Sequence, residues 1–267
     1  MALNVYSVSM KAVILAGGLG TRLAEETLVK PKPMVEIGGK PILWHIMKLY
    51  STHGIDDFII CLGYKGYLIK EYFANYFLHM SDVTIDVASN QFQFHGSPSE
   101  RWKVTLVETG DGSMTGERLK RVKHHLEGEK QFCFTYGDGI SDVNISELIT
   151  FHRLHNRLVT LTAVTPKTRY GSISLSDDLI VNFSEKPEKM EGRVNGGFFV
   201  VDYDALDYIE ESNVSWESDV LPKLVSDKQV SAYRHDSFWQ SMDTLRDKEF
   251  LENLWSSKQA PWKIWES

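Results

Sequence analysis

Three groups of residues in this 267-residue chain have types and spacings suited to handling phosphate. Gly17, Gly18 and Gly20 follow an apolar run directly and lead into Thr21 and Arg22. Glycines at such a place let the backbone turn tightly and bring its N–H groups up to an anion. Arg22 adds a planar fork of donors that matches phosphate oxygens. Taken alone, the loop is as readily a plain turn as an anion cradle. It is not a P-loop, because G-x-x-x-x-G-K-[ST] is absent, and Leu23 fills the third glycine place of G-x-G-x-x-G, which disfavours a dinucleotide cofactor. About ten residues on, Lys30-Pro31-Lys32-Pro33-Met34 alternates lysine with proline. Proline fixes φ and biases the preceding residue away from helix, so the segment is expected to be extended, with Lys30 and Lys32 on one face. Isolated, it would be a solvated basic loop. Beside the glycine turn it reads as a phosphate clamp.

The third group is carboxylate. Asp138 ends an apolar run between Gly137 and Gly139, and Asp243 follows a short aromatic stretch in W-Q-S-M-D-T. Two carboxylates meeting at a nucleotide's phosphates would suit Mg²⁺, which takes few protein ligands and completes its shell with water and substrate oxygens. On residue type alone, each aspartate is more readily a turn residue, which is how Asp111 and Asp142 are read. None of the nine histidines is required, and the pair His124-His125 lacks metal-ligand spacing. Cys61 and Cys133 sit in apolar runs and are expected to be buried, reduced thiols.

These groups need a scaffold that brings strand ends together. K-A-V-I-L-A (11–16), D-F-I-I-C-L-G (57–63), V-T-I-D-V (83–87), W-K-V-T-L-V (102–107) and the run 131–139 read as strands. Helical periodicity separates several of them, over 42–50, 65–79, 118–125 and 144–156. That alternation predicts an α/β fold with a doubly wound, mainly parallel sheet. The second half is richer in short strands (159–164, 172–175, 180–186, 196–201), with helices near 203–211 and 218–226 and a Trp-rich tail at 255–265. The organisation is read as one domain, 10–267. Within it, 10–158 is an α/β half, 159–250 a β-rich half and 251–267 a tail, with 1–9 as a leader before Met10. Residues 88–101 are expected to be an irregular insertion. A net charge of −7 without a long basic run argues against duplex nucleic acid, and no run of 18 apolar residues spans a membrane. A cytoplasmic protein is expected.

The residues also carry a resemblance. L-A-G-G-L-G-T-R-L, K-P-K-P-M and G-G-K-P-I, then Tyr136-Gly137-Asp138-Gly139, Glu185-Lys186-Pro187, Asn195-Gly196-Gly197 and W-Q-S-M-D-T resemble, in order, the motifs of the sugar-1-phosphate nucleotidylyltransferases. M-T-G-E-R-L-K-R (114–121) and the A-P-W-K-I-W tail resemble the cytidylyl-transferring members. The resemblance implies a Rossmann-like core, Mg²⁺ as cofactor, and CTP and glucose 1-phosphate as substrates. CDP-glucose would then feed 3,6-dideoxyhexose and O-antigen synthesis. It implies Arg22, Lys32 and Asp138 as catalytic residues and Asp138 with Asp243 on the metal. Leu15, Ala16, Gly17, Gly18, Gly20, Thr21, Arg22, Lys32, Thr115, Gly116 and Arg118 would bind nucleotide. Tyr136, Gly171, Glu185, Lys186, Asn195, Gly196 and Trp239 would bind the sugar phosphate, with Tyr170 as a further lining residue.

Arg118 reads equally as a solvated helix cation, and Trp239 as core. Rival readings are transfer of another base or sugar phosphate, such as guanylyl transfer to mannose 1-phosphate, a metal-dependent glycosyltransferase, or a non-catalytic nucleotide-sugar sensor. Trp255, Trp262 and Trp265, with Phe92, Phe94 and Trp102 near the insertion, are expected to cover an interface in a homo-oligomer of closed symmetry, a hexamer being the example that the resemblance offers.

Overall fold

Lys11–Leu15 (β1) is apolar at successive positions because both of its faces are covered. Ala12 and Ile14 join one buried cluster, while Val13 and Leu15 join another on the opposite side. The computed structural model describes residues 10–96, 100–166, 172–176, 179–184 and 192–265. Six more strands complete the main sheet: Asp57–Leu62 (β2), Lys103–Glu108 (β3), Gln131–Tyr136 (β4), Val159–Val164 (β5), Val194–Asp202 (β6) and Val230–His235 (β7). Their order is β7-β5-β6-β4-β1-β2-β3. All neighbours are parallel except at β6, which runs against both β5 and β4. The expected doubly wound, mainly parallel sheet is thus present, and strands from both halves of the chain share it.

Strands β2 and β3 lie to one side of β1, and β4 lies on the other. In open α/β sheets ligands bind beyond the carboxyl ends of the strands at such a reversal. Leu15 and Tyr136 pair there, so the turns after β1 and β4 emerge side by side.

Several elements differ from expectation. The insertion is not irregular throughout: Asp82–Asp86 and Gln91–His95 form a hairpin. Its Gln-Phe-Gln-Phe alternation is a strand pattern that the polar composition obscured. Residues 203–211 supply only a 3₁₀ turn, Tyr203–Tyr208. β7 and the helix Leu245–Ser256 went unread, the latter in spite of a capping box between Thr244 and Asp247.

The tail corrects its own expectation. Trp262 is fully buried, and Trp255 and Trp265 pack against the same core, around His45. These aromatics cover the chain's own sheet, and so do not argue for an interface. Burial among rings drives the His45 pKa down to about 4, while Nε2 bonds the Ile37 carbonyl at 2.9 Å. The folded protein resists a proton that the unfolded chain accepts near 6.5, so this site's stability is present above pH 6.5 and lost towards pH 4. The loss is expected to approach about 3 kcal/mol. Denaturant titrations at pH 7 and pH 4 should show His45→Gln losing less stability on acidification than the wild type, and equal losses would refute it. Cys61 and Cys133 are free and buried, as expected, and burial pushes both thiols up to about 12.

Candidate active site

The turn after β1 is shaped by what lies behind it. A Cβ on Gly17 would stand 2.1 Å from Arg118 Nη1, so only glycine lets the loop lie on that guanidinium. Gly20 has φ +64°, the left-handed region, and its carbonyl accepts from Leu23 N and Thr27 Oγ. Thr21–Leu23 then forms a single 3₁₀ turn that carries Arg22 outward.

Arg118 is neither a solvated helix cation nor a free side chain. It is 4% exposed. Its Nη1 donates to Leu62 O (3.0 Å) and Thr109 Oγ (2.8 Å), and its Nη2 to Gly17 O (3.0 Å) and Asp111 O (3.3 Å). One guanidinium therefore ties the glycine turn to the end of β2 and to the segment after β3. Gly17→Ala is expected to displace it and strand buried acceptors, at about 2–4 kcal/mol. Thermal denaturation should show Tm falling by roughly 5–10 °C, and an unchanged Tm would contradict this packing.

Lys30 and Lys32 do not share a face. Pro31 is extended, but Lys32–Met34 closes into a 3₁₀ turn, in which a proline at the first positions sacrifices no hydrogen bond. Lys30 points outward to Glu36 (2.9 Å), whereas Lys32 is buried and points into the site. Its ammonium lies 2.6 Å from Asp138 Oδ2 and 2.8 Å from Asp243 Oδ1. Arg22 Nη2 approaches the same Asp243 oxygen at 3.1 Å.

A small antiparallel strand pair brings the two aspartates together across 105 residues of sequence. Gly139–Ser141 pairs with Trp239–Ser241, and Met242 N donates to Asp138 O at 2.9 Å. Gly137 N in turn donates to Leu15 O, which sets Asp138 beside the β1 turn. Burial alone would lower the Lys32 pKa, but Asp138 and Asp243 outweigh it and raise it above the usual lysine value. Burial would likewise raise Asp243, yet Lys32 and Arg22 hold it below the ordinary carboxylate range.

These groups line a cleft of about 620 Å³, a volume ordinary for small-molecule sites. Leu15, Ala16, Gly17, Gly18, Gly20, Thr21, Arg22, Lys32, Thr115, Arg118, Tyr136, Asp138, Asn195, Gly196, Trp239 and Asp243 all border it. Gly116 is not among the lining residues; it is buried against Val214, where a Cβ would meet a carbonyl at 2.8 Å. Trp239 borders the cleft and donates to Gly196 O at 2.7 Å. Tyr170, Gly171, Glu185 and Lys186 lie outside the described residues. Asp142 is more than a turn residue, since it pairs with His235 at 2.9 Å. Ser215 and Glu217 also line the cleft and went unread, because S-N-V-S-W-E-S has neither strand nor helix period nor a known phosphate pattern.

The nucleotidyl transferase family profile matches residues 11–252. The chain belongs to the nucleotidyl transferase family. This nucleotidyl transferase is 57% identical over 257 residues to glucose-1-phosphate cytidylyltransferase of Salmonella typhi, covering 96% of this chain and all of that one. Identity to mannose-1-phosphate guanyltransferase of Schizosaccharomyces pombe is 30% over 248 residues, 91% of this chain and 62% of the relative. Among solved structures, UDP-glucose pyrophosphorylase complexed with UDP-glucose superposes with a TM-score of 0.67 at 15% identity, covering 93% of this chain and 99% of that one. HddC from Yersinia pseudotuberculosis complexed with GMP-PN gives 0.66 at 24% identity, covering 92% and 99%. Both structures share the fold of this nucleotidyl transferase.

Proposed function

We propose that this nucleotidyl transferase moves a cytidylyl group from CTP to α-D-glucose 1-phosphate, releasing pyrophosphate and forming CDP-glucose. The observation that carries the reading is 57% identity to a glucose-1-phosphate cytidylyltransferase along its entire length. The cleft suits that chemistry. A sugar-phosphate oxygen attacks the α-phosphorus and forms the new P–O bond, while the bond to the β-phosphate oxygen breaks and pyrophosphate leaves with its electron pair. The attacking group is already an anion, so no enzyme nucleophile or strong base is required. The protein's task is to hold two polyanions in line and to offset the charge that develops.

Gly17, Gly18 and Gly20 offer backbone N–H groups at the cleft, and Arg22 and Lys32 offer cationic donors. Tyr136, Asn195, Gly196 and Trp239 line the part assigned to the hexose, and Thr115 the part assigned to the nucleoside. Asp138 and Asp243 would hold Mg²⁺, since both reach one point, now bonded to the Lys32 ammonium. Among the described residues no cluster of three or more His, Cys, Asp or Glu forms a closed cage, a donor set that suits an ion sharing its shell with substrate and water. The ion would supply positive charge against the α-phosphate in the transition state.

Incubating the protein with glucose 1-phosphate, Mg²⁺ and a panel of triphosphates, with mass detection of the product, tests the reading. CDP-glucose is the expected product, and equal or better turnover with dTTP, UTP or GTP would refute the base assignment. The reading places the enzyme in the cytoplasm, supplying CDP-glucose for 3,6-dideoxyhexose and O-antigen synthesis. No helix among the described residues is long and apolar enough to cross a membrane.

A homo-oligomer belongs to the same reading, built on the hairpin rather than the tail. Phe77, Ile85, Phe92 and Phe94 expose 40–50% of their surface there, and Phe77 meets Phe94 at 5.5 Å. Light scattering at micromolar concentration is expected to give a multiple of 30.5 kDa, and the single-chain mass would refute it.

A further inference from the structure

Glu217 places a negative charge in a cleft assigned to two polyanions. Three hydroxyl groups from three elements converge on it. Thr115 donates to Oε2 at 2.5 Å, Ser215 donates to the same oxygen at 2.9 Å, and Tyr136 OH donates to Oε1. Each donor is fixed from behind. Thr115 Oγ accepts from Trp216 N at 2.8 Å, and Ser215 Oγ accepts from the backbone N–H groups of Glu217 and Ser218. Tyr136 OH accepts from Asn195 Nδ2 at 3.4 Å. The cations of the cleft are engaged elsewhere, Lys32 and Arg22 with Asp138 and Asp243.

An ionised carboxylate only accepts hydrogen bonds and has about four acceptor sites on its two oxygens. Three are filled, and Glu217 is an exposed residue of the cleft lining. Facing phosphates, such a charge is unfavourable. Facing a hydroxyl donor, it is a preorganised acceptor. Its place between Thr115 and Tyr136 puts it where the nucleoside and hexose regions meet.

We infer that Glu217 accepts a ring hydroxyl of a bound substrate, ribose or hexose, and thereby selects hydroxylated substrates over deoxy ones. The inference rests on the reaction proposed above. It makes Glu217 a specificity residue; Thr115, Ser215 and Tyr136 then position its carboxylate.

The test measures kcat/KM for wild type, Glu217→Ala and Glu217→Gln. Substrates are CTP against its 2′- and 3′-deoxy analogues, and glucose 1-phosphate against its 2-, 3-, 4- and 6-deoxy analogues. The wild type is expected to lose about 10- to 100-fold with one analogue, the one lacking the hydroxyl that Glu217 reads. Glu217→Ala should lower that discrimination to within about threefold, mainly through KM, and leave the other ratios unchanged, with Glu217→Gln between the two. The nucleotide and hexose series identify which ring is read. A variant that loses activity equally on every substrate has a structural role only and overturns the inference. So does a wild type that treats all deoxy analogues alike, a result that needs no folded variant. If another triphosphate or sugar phosphate is turned over instead, the proposed function fails and the comparison is run on that pair.

Discussion

Lys32→Met is expected to lower kcat by about 10²-fold or more while leaving the fold intact, in line with loss of a preorganised charge at a transferring phosphate. The ammonium is held between two carboxylates at 2.6 and 2.8 Å, and little of the side chain meets solvent. It is therefore held at the aspartates before any substrate arrives, and needs only to pass from them to the neighbouring triphosphate oxygens. Methionine matches the length of the stem and removes only the charge and the donors. Lys32→Arg keeps the charge but replaces a compact head with a planar fork where the lysine side chain is only 10% exposed, and should recover only part of the rate. Because Asp138 and Asp243 raise the lysine's pKa above its usual value, the group stays protonated through neutral and mildly alkaline pH. A wild-type pH–rate profile should thus have no falling limb from Lys32 below about pH 10. Steady-state kinetics with circular dichroism as a folding control decide the matter. A folded Lys32→Met enzyme with near-native kcat would remove Lys32 from the catalytic set.

Much of this site was legible as residue types before any geometry. The apolar runs ending at Leu15 and Tyr136 marked strands buried on both faces, and such strands in a doubly wound sheet deliver the turns after them to one edge. That is why Gly17, Lys32 and Asp138 lie together. What could not be read was the direction of individual side chains. An extended K-P-K-P would have aligned Lys30 with Lys32, but the 3₁₀ turn at Lys32–Met34 parts them, and proline's fixed φ is compatible with either conformation. Arg118 carries no local sign of burial, because the acceptors that hold it come from Gly17, Leu62, Thr109 and Asp111 on three other segments. Glu217 is hidden for the same reason: its partners Thr115 and Tyr136 lie 102 and 81 residues away in sequence. The tail was misjudged because aromatic content alone does not distinguish a docked terminus from an interface, and only the pocket around His45 does so.

Asp138→Asn and Asp243→Asn are each expected to abolish turnover and to remove Mn²⁺ binding, followed by electron paramagnetic resonance, in the presence of CTP. Wild-type activity should vanish in chelator and return with Mg²⁺. Without nucleotide, the geometry predicts a second effect. Asp138 Oδ2 and Asp243 Oδ1 are already bonded to the Lys32 ammonium, and Arg22 adds positive charge at the second oxygen. A divalent ion reaching these carboxylates must displace the ammonium or share its field, so the free protein should bind Mn²⁺ weakly. Triphosphate oxygens give Lys32 and Arg22 other partners and bring donors of their own, so binding should tighten when CTP is added. Lys32→Met removes the competing cation and is expected to bind Mn²⁺ without nucleotide about tenfold more tightly than the wild type, as an ion facing two carboxylates relieved of a neighbouring charge should. The same substitution therefore lowers kcat and raises metal affinity, a pairing that simple damage to the fold would not produce. Mn²⁺ binding by Lys32→Met no stronger than by the wild type would show that the ammonium does not guard the carboxylates, and unchanged binding in the two asparagine variants would place the metal elsewhere.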